Sequence, residues 1–290
     1  MSITLATINF LRSDRTRNLL MSVPKEIKKV LIIDNNKELD QKLYDESWDF
    51  NLEVIKVPFN TPEQVCKLKI VENINTKYFV LVDNDMVLPN NVLDLYTIIK
   101  SDYKIGGVSG ILLDHGYKPC CGAHDIFIED GYLIRDIREK IPNKIRRINN
   151  LVFIKFDFIP HAAIFRKKIF EDYTYDPKMY FEHIDFFLGH WYLKKWIFGI
   201  CPHVIFQHYP GWEIDKEMYA TFRRNKNVFR EGYKNLLKKW KLKGVIWRKL
   251  YFCPDEILVN PILSRIKKNL PKFVASWIDY KILDFAYYKK

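Results

Sequence analysis

The chain has 290 residues, 48% hydrophobic and 28% charged, with 11 glycines and 13 prolines; it can bury a substantial core, and its composition excludes low-complexity and disordered classes. Its 47 Lys plus Arg exceed 35 Asp plus Glu and leave a net charge of +12, which favours anionic partners such as phosphates, nucleic acid or acidic lipid without choosing among them. Cys66, Cys120, Cys121, Cys201 and Cys253 are odd in number and form no CxxC pair, so neither a disulfide framework nor a zinc ribbon is indicated.

In chain order, Ser2–Asn9 reads as a β-branched strand and Arg12–Ser22 as a helix ending before Pro24. This start carries no basic segment followed by an apolar run. No later stretch reaches the roughly 18 apolar residues of a spanning helix. The expectation is a cytoplasmic protein, or one attached to a membrane from its cytoplasmic face. Val30–Ile33 is a continuous apolar run ending in Asp34-Asn35-Asn36, Leu52–Val57 a third strand, Pro62–Asn75 a helix, and Tyr78–Val82 a fourth strand entering Asp83-Asn84-Asp85. Such alternation predicts a mostly parallel sheet flanked by helices, with ligands beyond the carboxyl ends of its strands. Both acidic clusters, Asp34 and Asp83/Asp85, fall at those ends.

Asp83-x-Asp85 delivered by a buried strand offers two hard carboxylates suited to Mg2+ or Mn2+ bridging phosphate oxygens. The blander reading is an acidic strand exit, since Asp and Asn favour turns on local grounds. His115, His124, Asp114 and Asp125 surround Cys120-Cys121-Gly122 without any zinc spacing, and read as a loop near an acceptor.

Thr76-Lys77-Tyr78-Phe79-Val80-Leu81-Val82-Asp83-Asn84-Asp85 resembles the strand and DxD motif of family 2 and related GT-A glycosyltransferases. Phe156–Arg166 resembles that family's donor-sugar segment, and Tyr175-Asp176-Pro177 followed by Phe181-Glu182-His183-Ile184-Asp185 resembles its acidic catalytic motif. The likeness spans roughly residues 1–210, and its specificity lies in the order and spacing of several motifs. It implies a GT-A fold, Rossmann-like and α/β. Thr7, Asp34, Asp83, Asn84 and His161 would bind a nucleotide-sugar, a UDP-sugar being the first expectation. Asp83, Asp85 and His208 would hold the metal. The acceptor would be a hydroxyl of a glycan or lipid-linked molecule, and transfer would be inverting, with Glu182, His183 or Asp185 as base. The family usually reads Glu-Asp where this chain has Glu182-His183. A nucleotidyltransferase is the alternative enzyme class, but it usually needs a glycine-rich phosphate loop that Thr7–Asp14 lacks.

The organisation implied is a catalytic domain over 1–214, its nucleotide-sugar part over about 1–110 and its acceptor part over about 111–214, with a helical basic extension over 215–290. From Tyr219 to Trp240, Phe222, Phe229, Tyr233, Leu236, Leu237 and Trp240 recur at helical spacing among Arg223, Arg224, Lys226, Arg230, Lys234, Lys238 and Lys239. Trp247–Phe252 and Ile266–Leu270 repeat the mixture. Two readings stand open: a peripheral surface for anionic membrane, or an aromatic stripe packed on the catalytic domain with its charges solvated. A non-enzymatic membrane- or nucleic-acid-binding protein would share the charge and aromatic content, but would leave the ordered acidic motifs unexplained; nucleic acid is not an expected partner.

Overall fold

The expected alternation is realised from the first strand onward in the computed structural model, which describes residues 2–209, 222, 225–252 and 257–286. The chain runs β1 (Ile3–Asn9), α1 (Ser13–Met21), β2 (Lys29–Asp34), α2 (Gln41–Tyr44), β3 (Asn51–Lys56), α3 (Glu63–Asn73), β4 (Tyr78–Leu81), β5 (Met86–Val87), α4 (Asp94–Ser101) and β6 (Ile105–Asp114). It continues through β7 (Lys118–Cys120), β8 (Asp125–Glu129), β9 (Tyr132–Asp136), α5 (Ile141–Lys144), β10 (Ile145–Ile148), β11 (Leu151–Phe156), β12 (Ala163–Arg166), α6 (Ile169–Asp172), α7 (Glu182–Leu193) and β13 (Ile197–His208). The last elements are α8 (Lys226–Trp240), β14 (Gly244–Trp247), a short 3-10 turn (Ile257–Val259), α9 (Pro261–Lys268) and α10 (Lys272–Ala286).

The main sheet has the order β10-β11-β13-β6-β12-β4-β1-β2-β3, with β5 on β13 and β7 on β6. Pairing is parallel through β4-β1-β2-β3 and between β6 and β13. It is antiparallel where β12 enters between β4 and β6. Side-chain alternation then builds a core on each face: Leu31 and Ile33 of β2 join the cluster under α3 and α7, while Val30 and Ile32 join the one under α1 and α4.

The C-terminal segment is woven into this body. The expected boundary near Asp215 lies outside the described residues, as do Tyr219, Arg223 and Arg224. β14 pairs in parallel with β9, and Tyr233, Leu236, Leu242 and Val245 belong to the same buried cluster as Phe79 and Phe165. Along α8 the stripe packs on the catalytic domain, Phe229 and Leu236 being fully buried. Several of this helix's cations are also matched: Arg230 pairs with Asp284 at 2.9 Å and Lys239 with Asp176 at 2.7 Å. Gly232 permits the close fit of α8, since a Cβ there would lie 2.5 Å from Cβ of Tyr180.

Candidate active site

β4 is wholly buried between β1 and β12, so the chain leaves the sheet only at the acidic turn, where Asp83 meets solvent and Asn84 and Asp85 turn inward. β5 then pairs with the end of β13, His208 opposite Met86. That register brings His208 to Asp85: Nε2 stands 3.5 Å from Asp85 Oδ1, and Nδ1 bonds Asp114 Oδ1 at 2.6 Å. Burial opposes a charge on His208, but the Asp114 hydrogen bond and the nearby Asp85 carboxylate outweigh it and push its pKa up to about 10. On the other side, Arg12 Nη1 donates to Asp85 Oδ2 at 2.5 Å.

Asp85 Oδ1 is buried without a hydrogen-bond partner. Asp83 opens onto the cavity, yet enclosure by the cleft walls, together with Glu63 and Asp85, raises its pKa against the pull of Lys67 and His183. Asp83 and Asp85 line one small cavity, and an orphaned carboxylate oxygen beside a second carboxylate suits Mn2+ or Mg2+; His208 reaches this pair through Asp85. In that arrangement Asp114 would orient the imidazole, as outer carboxylates do for metal-bound histidines.

A second charged centre, which the sequence did not disclose, surrounds Lys67 of α3. This lysine is 1% exposed. Its Nζ donates to Glu182 Oε1 at 2.9 Å, and lies 2.7 Å from Glu63 Oε1, 2.5 Å from His183 Nε2 and 3.2 Å from His161 Nδ1. Burial disfavours the ammonium, but Glu63, Glu182 and Asp83 hold its pKa well above the ordinary value. An ammonium has only three protons to give, so His161 Nδ1 accepts beside the two carboxylates, while His183 Nε2 also lies 3.0 Å from Glu182 Oε1. Burial also opposes charge on Glu182, yet Lys67 and His183 drive its pKa far below the carboxylate range and keep it ionised. Donor atoms of Glu63, Glu182 and His183 lie within 4.8 Å of one another. The lysine ammonium stands among them, where a metal would otherwise be accommodated.

Not every expected residue joins these centres. Asp185 is fully buried on α7, turned from the cleft, where its carboxylate accepts from Trp240 Nε1 at 2.8 Å and Tyr173 OH at 2.9 Å and pairs with Lys239 at 2.9 Å. As a base it is corrected: it anchors α8 to α7. Thr7 is buried within β1, and Asp34 is occupied by Tyr44 OH at 2.5 Å, Asn36 Nδ2 at 3.1 Å and Lys56 Nζ at 3.2 Å; neither lines a described cavity. Asn84 donates to Thr16 Oγ1 at 3.0 Å and so ties the acidic turn to α1. His161 is buried behind His183, the ring centroids 3.6 Å apart.

Two adjoining cavities share Glu63 and Asp83. The smaller, about 90 Å³, is lined by Ile8, Phe10, Arg12, Glu63, Asp83, Asn84 and Asp85. The larger, about 910 Å³, takes Glu182 and His183 from α7, Phe158 and Arg135 from the middle of the chain, and Asn227, Phe229, Asn235 and Trp247 from the C-terminal segment. Arg135 lies 3.6 Å from the Trp247 ring centroid and donates from Nε to His124 Nε2 at 2.8 Å. The loop of His124 therefore adjoins this cavity.

No family model matches the sequence, and no curated protein matches it. Solved structures do. GalNAc-T7 with UDP, GalNAc and Mn2+ superimposes with a TM-score of 0.55 at 10% identity over 84% of this chain and 55% of that one. S. aureus TarS 1–349 with UDP-GlcNAc gives 0.53 at 15% identity, over 82% of this chain and 67% of that one. The mannosyltransferase PcManGT from Pyrobaculum calidifontis with GDP-Man and Mn2+ gives 0.52 at 11% identity, over 99% and 75%. The fold is GT-A. This chain spans about half of the length of GalNAc-T7, and likeness at such identity carries the GT-A architecture alone. On that architecture the acidic turn follows the buried strand β4 and opens onto both cavities.

Proposed function

We propose that the protein transfers a sugar from a nucleoside-diphosphate sugar to a hydroxyl of a glycan or lipid-linked acceptor, with inversion at the anomeric carbon. The observation that carries this is the meeting of two differently built centres at one cleft of a GT-A fold: the Asp83/Asp85/His208 donor set, and the ionised Glu182 beside Lys67. The donors named with two structural neighbours, UDP-GlcNAc and GDP-Man, support a nucleoside-diphosphate sugar here, with UDP-sugars tested first.

Asp83, Asp85 and His208 would hold Mn2+ or Mg2+, which when bound neutralises charge on the departing diphosphate. The acceptor oxygen attacks the anomeric carbon, the bond from that carbon to the diphosphate oxygen breaks, and the acceptor proton passes to Glu182. Lys67 makes Glu182 a weak base but guarantees that it is ionised; a hydroxyl becomes strongly acidic as its oxygen bonds carbon, so a standing carboxylate suffices. His183 lines the same cavity and is available to orient the acceptor. Aromatic faces of Phe158, Phe181, Phe229 and Trp247, interleaved with the amides of Asn60, Gln64, Asn227 and Asn235, suit a sugar ring's apolar faces and hydroxyl edges.

Incubation with a panel of UDP-, GDP- and dTDP-sugars, with and without Mn2+, tests the proposal. Metal-dependent consumption of one donor, reduced at least ~100-fold by Glu182→Gln, is expected from loss of the base. Consumption that is indifferent to metal and to Glu182 would remove it.

A further inference from the structure

The last two helices turn an apolar and cationic face outward. Ile262 and Ile266, one turn apart on α9, are 72% and 50% exposed, and Phe273 and Trp277, one turn apart on α10, are 65% and 59% exposed. Lys281, a further turn along, holds its ammonium 5.9 Å from the Trp277 ring centroid. The opposite side of α10 is buried through Ala275, Ser276 and Asp279. A fully buried ion pair, Lys267 to Asp279 at 2.6 Å, locks α9 to α10, so these side chains project from a fixed support.

The charges are sorted in the same way. Asp279 and Asp284, the acidic residues of these two helices, both point inward, Asp279 to Lys267 and Asp284 to Arg230 at 2.9 Å. Lys272 is matched by Glu129 and Asp130 of the β8–β9 turn at 3.1 and 2.5 Å. Arg265, Lys268 and Lys281 remain exposed, with no carboxylate of either helix beside them.

We propose that the α9–α10 face docks on an anionic lipid bilayer. Scattered exposed apolar residues need no explanation, but paired Ile, Phe and Trp at helical spacing, interspersed with the exposed cations Arg265, Lys268 and Lys281, match an interfacial helix surface. A bilayer takes the apolar side chains to the acyl boundary while the cations meet headgroups. A second copy would bring these cations against one another, and a nucleic acid would leave the isoleucines without apolar cover. Leu283, on the same helix, lines the large cavity, so docking would hold the cleft at the lipid surface, where a lipid-linked hydroxyl is presented.

Flotation of the full chain with phosphatidylglycerol-containing and pure phosphatidylcholine vesicles tests this without requiring turnover, so its outcome is independent of the glycosyltransferase reading. Binding to the anionic vesicles alone is expected. Phe273→Ser with Trp277→Ser should weaken it at least ~10-fold by removing buried aromatic area, and Lys268→Ser roughly fivefold, the factor for about 1 kcal/mol per cation near an anionic surface. Circular dichroism and melting temperatures should match the parent, and Tyr103→Ser, 75% exposed elsewhere, should bind like it. The proposal is overturned if neither vesicle binds, if the aromatic variant floats like the parent, or if light scattering shows a dimer that the same substitutions dissociate while no vesicle binds.

Discussion

The two charged centres of the cleft solve the same electrostatic problem in opposite ways. At the acidic turn, Asp85 is offset by groups that reach it from outside β4, Arg12 at 2.5 Å and His208 at 3.5 Å, and one oxygen is left unbonded. At α7, Glu182 is offset by Lys67, a cation supplied by the chain itself and sealed from solvent. The first centre has room for an exchangeable cation and the second contains a permanent one. On the proposed reading, this contrast would let a donor site and a base stand side by side without both demanding metal.

The contrast breaks most completely at Lys67. Lys67→Met leaves Glu63 and Glu182 without their cation, and removing one partner of a buried ion pair costs about 3–5 kcal/mol; a melting curve should show this loss, with turnover falling at least ~100-fold. The same variant sharpens the comparison, because Mn2+ should raise its melting temperature more than the parent's once Glu63, Glu182 and His183 are vacated. Equal Mn2+ responses would mean that the ammonium is not standing in a cation's place. At the other centre, Asp114→Asn should raise the Mn2+ concentration for half-maximal donor consumption about 10–100-fold, the usual cost of losing an outer carboxylate on a ligating histidine. An unchanged metal requirement would separate His208 from the metal.

Smaller effects are expected where the neighbouring residues only support the cleft. Asp185→Asn should lower stability by about 1–3 kcal/mol through its lost charge-assisted bonds, read by denaturant unfolding, while the folded fraction keeps the parent's turnover per molecule. A further term comes from His190, buried on α7 with its pKa pressed down to about 4 by desolvation. As pH falls below the ordinary ~6.5, the unfolded chain takes up this proton first, so the histidine's share of stability declines until about pH 4, by up to about 1.4 kcal/mol per pH unit. His190→Leu should flatten that part of the pH-stability curve.

These centres were not equally legible in the sequence. The strands and acidic turn were readable because their signals are local: an apolar run such as Tyr78–Leu81 buries itself, and the polar residues that follow mark its exit. His208 was placed by the order of motifs, and β5–β13 pairing supplies the contact with Asp85. Lys67 was silent, since a Lys four residues after Glu63 reads as an ordinary solvated helix pair, and only packing of α3 beneath α7 turns it inward. Arg12 was hidden in the same way. Glu182 and Asp185, three residues apart on α7, read as one motif; about 60° of helical rotation separates them, enough to send one to the cleft and the other to Trp240. The stripe of α8 announced an apolar face but not its occupant, which is the protein's own core.

The most direct test of the central claim is donor binding by calorimetry, using a UDP-sugar panel with Mn2+ present and absent, in the parent and in Asp83→Asn. Asp83 is exposed to the cleft, so the substitution leaves the fold intact by melting temperature. Metal-dependent binding of one donor, weakened at least ~10-fold in Asp83→Asn as expected for a lost metal ligand, is the predicted result. Binding of equal strength with and without metal in both proteins, or no binding of any nucleoside-diphosphate sugar, would contradict the account.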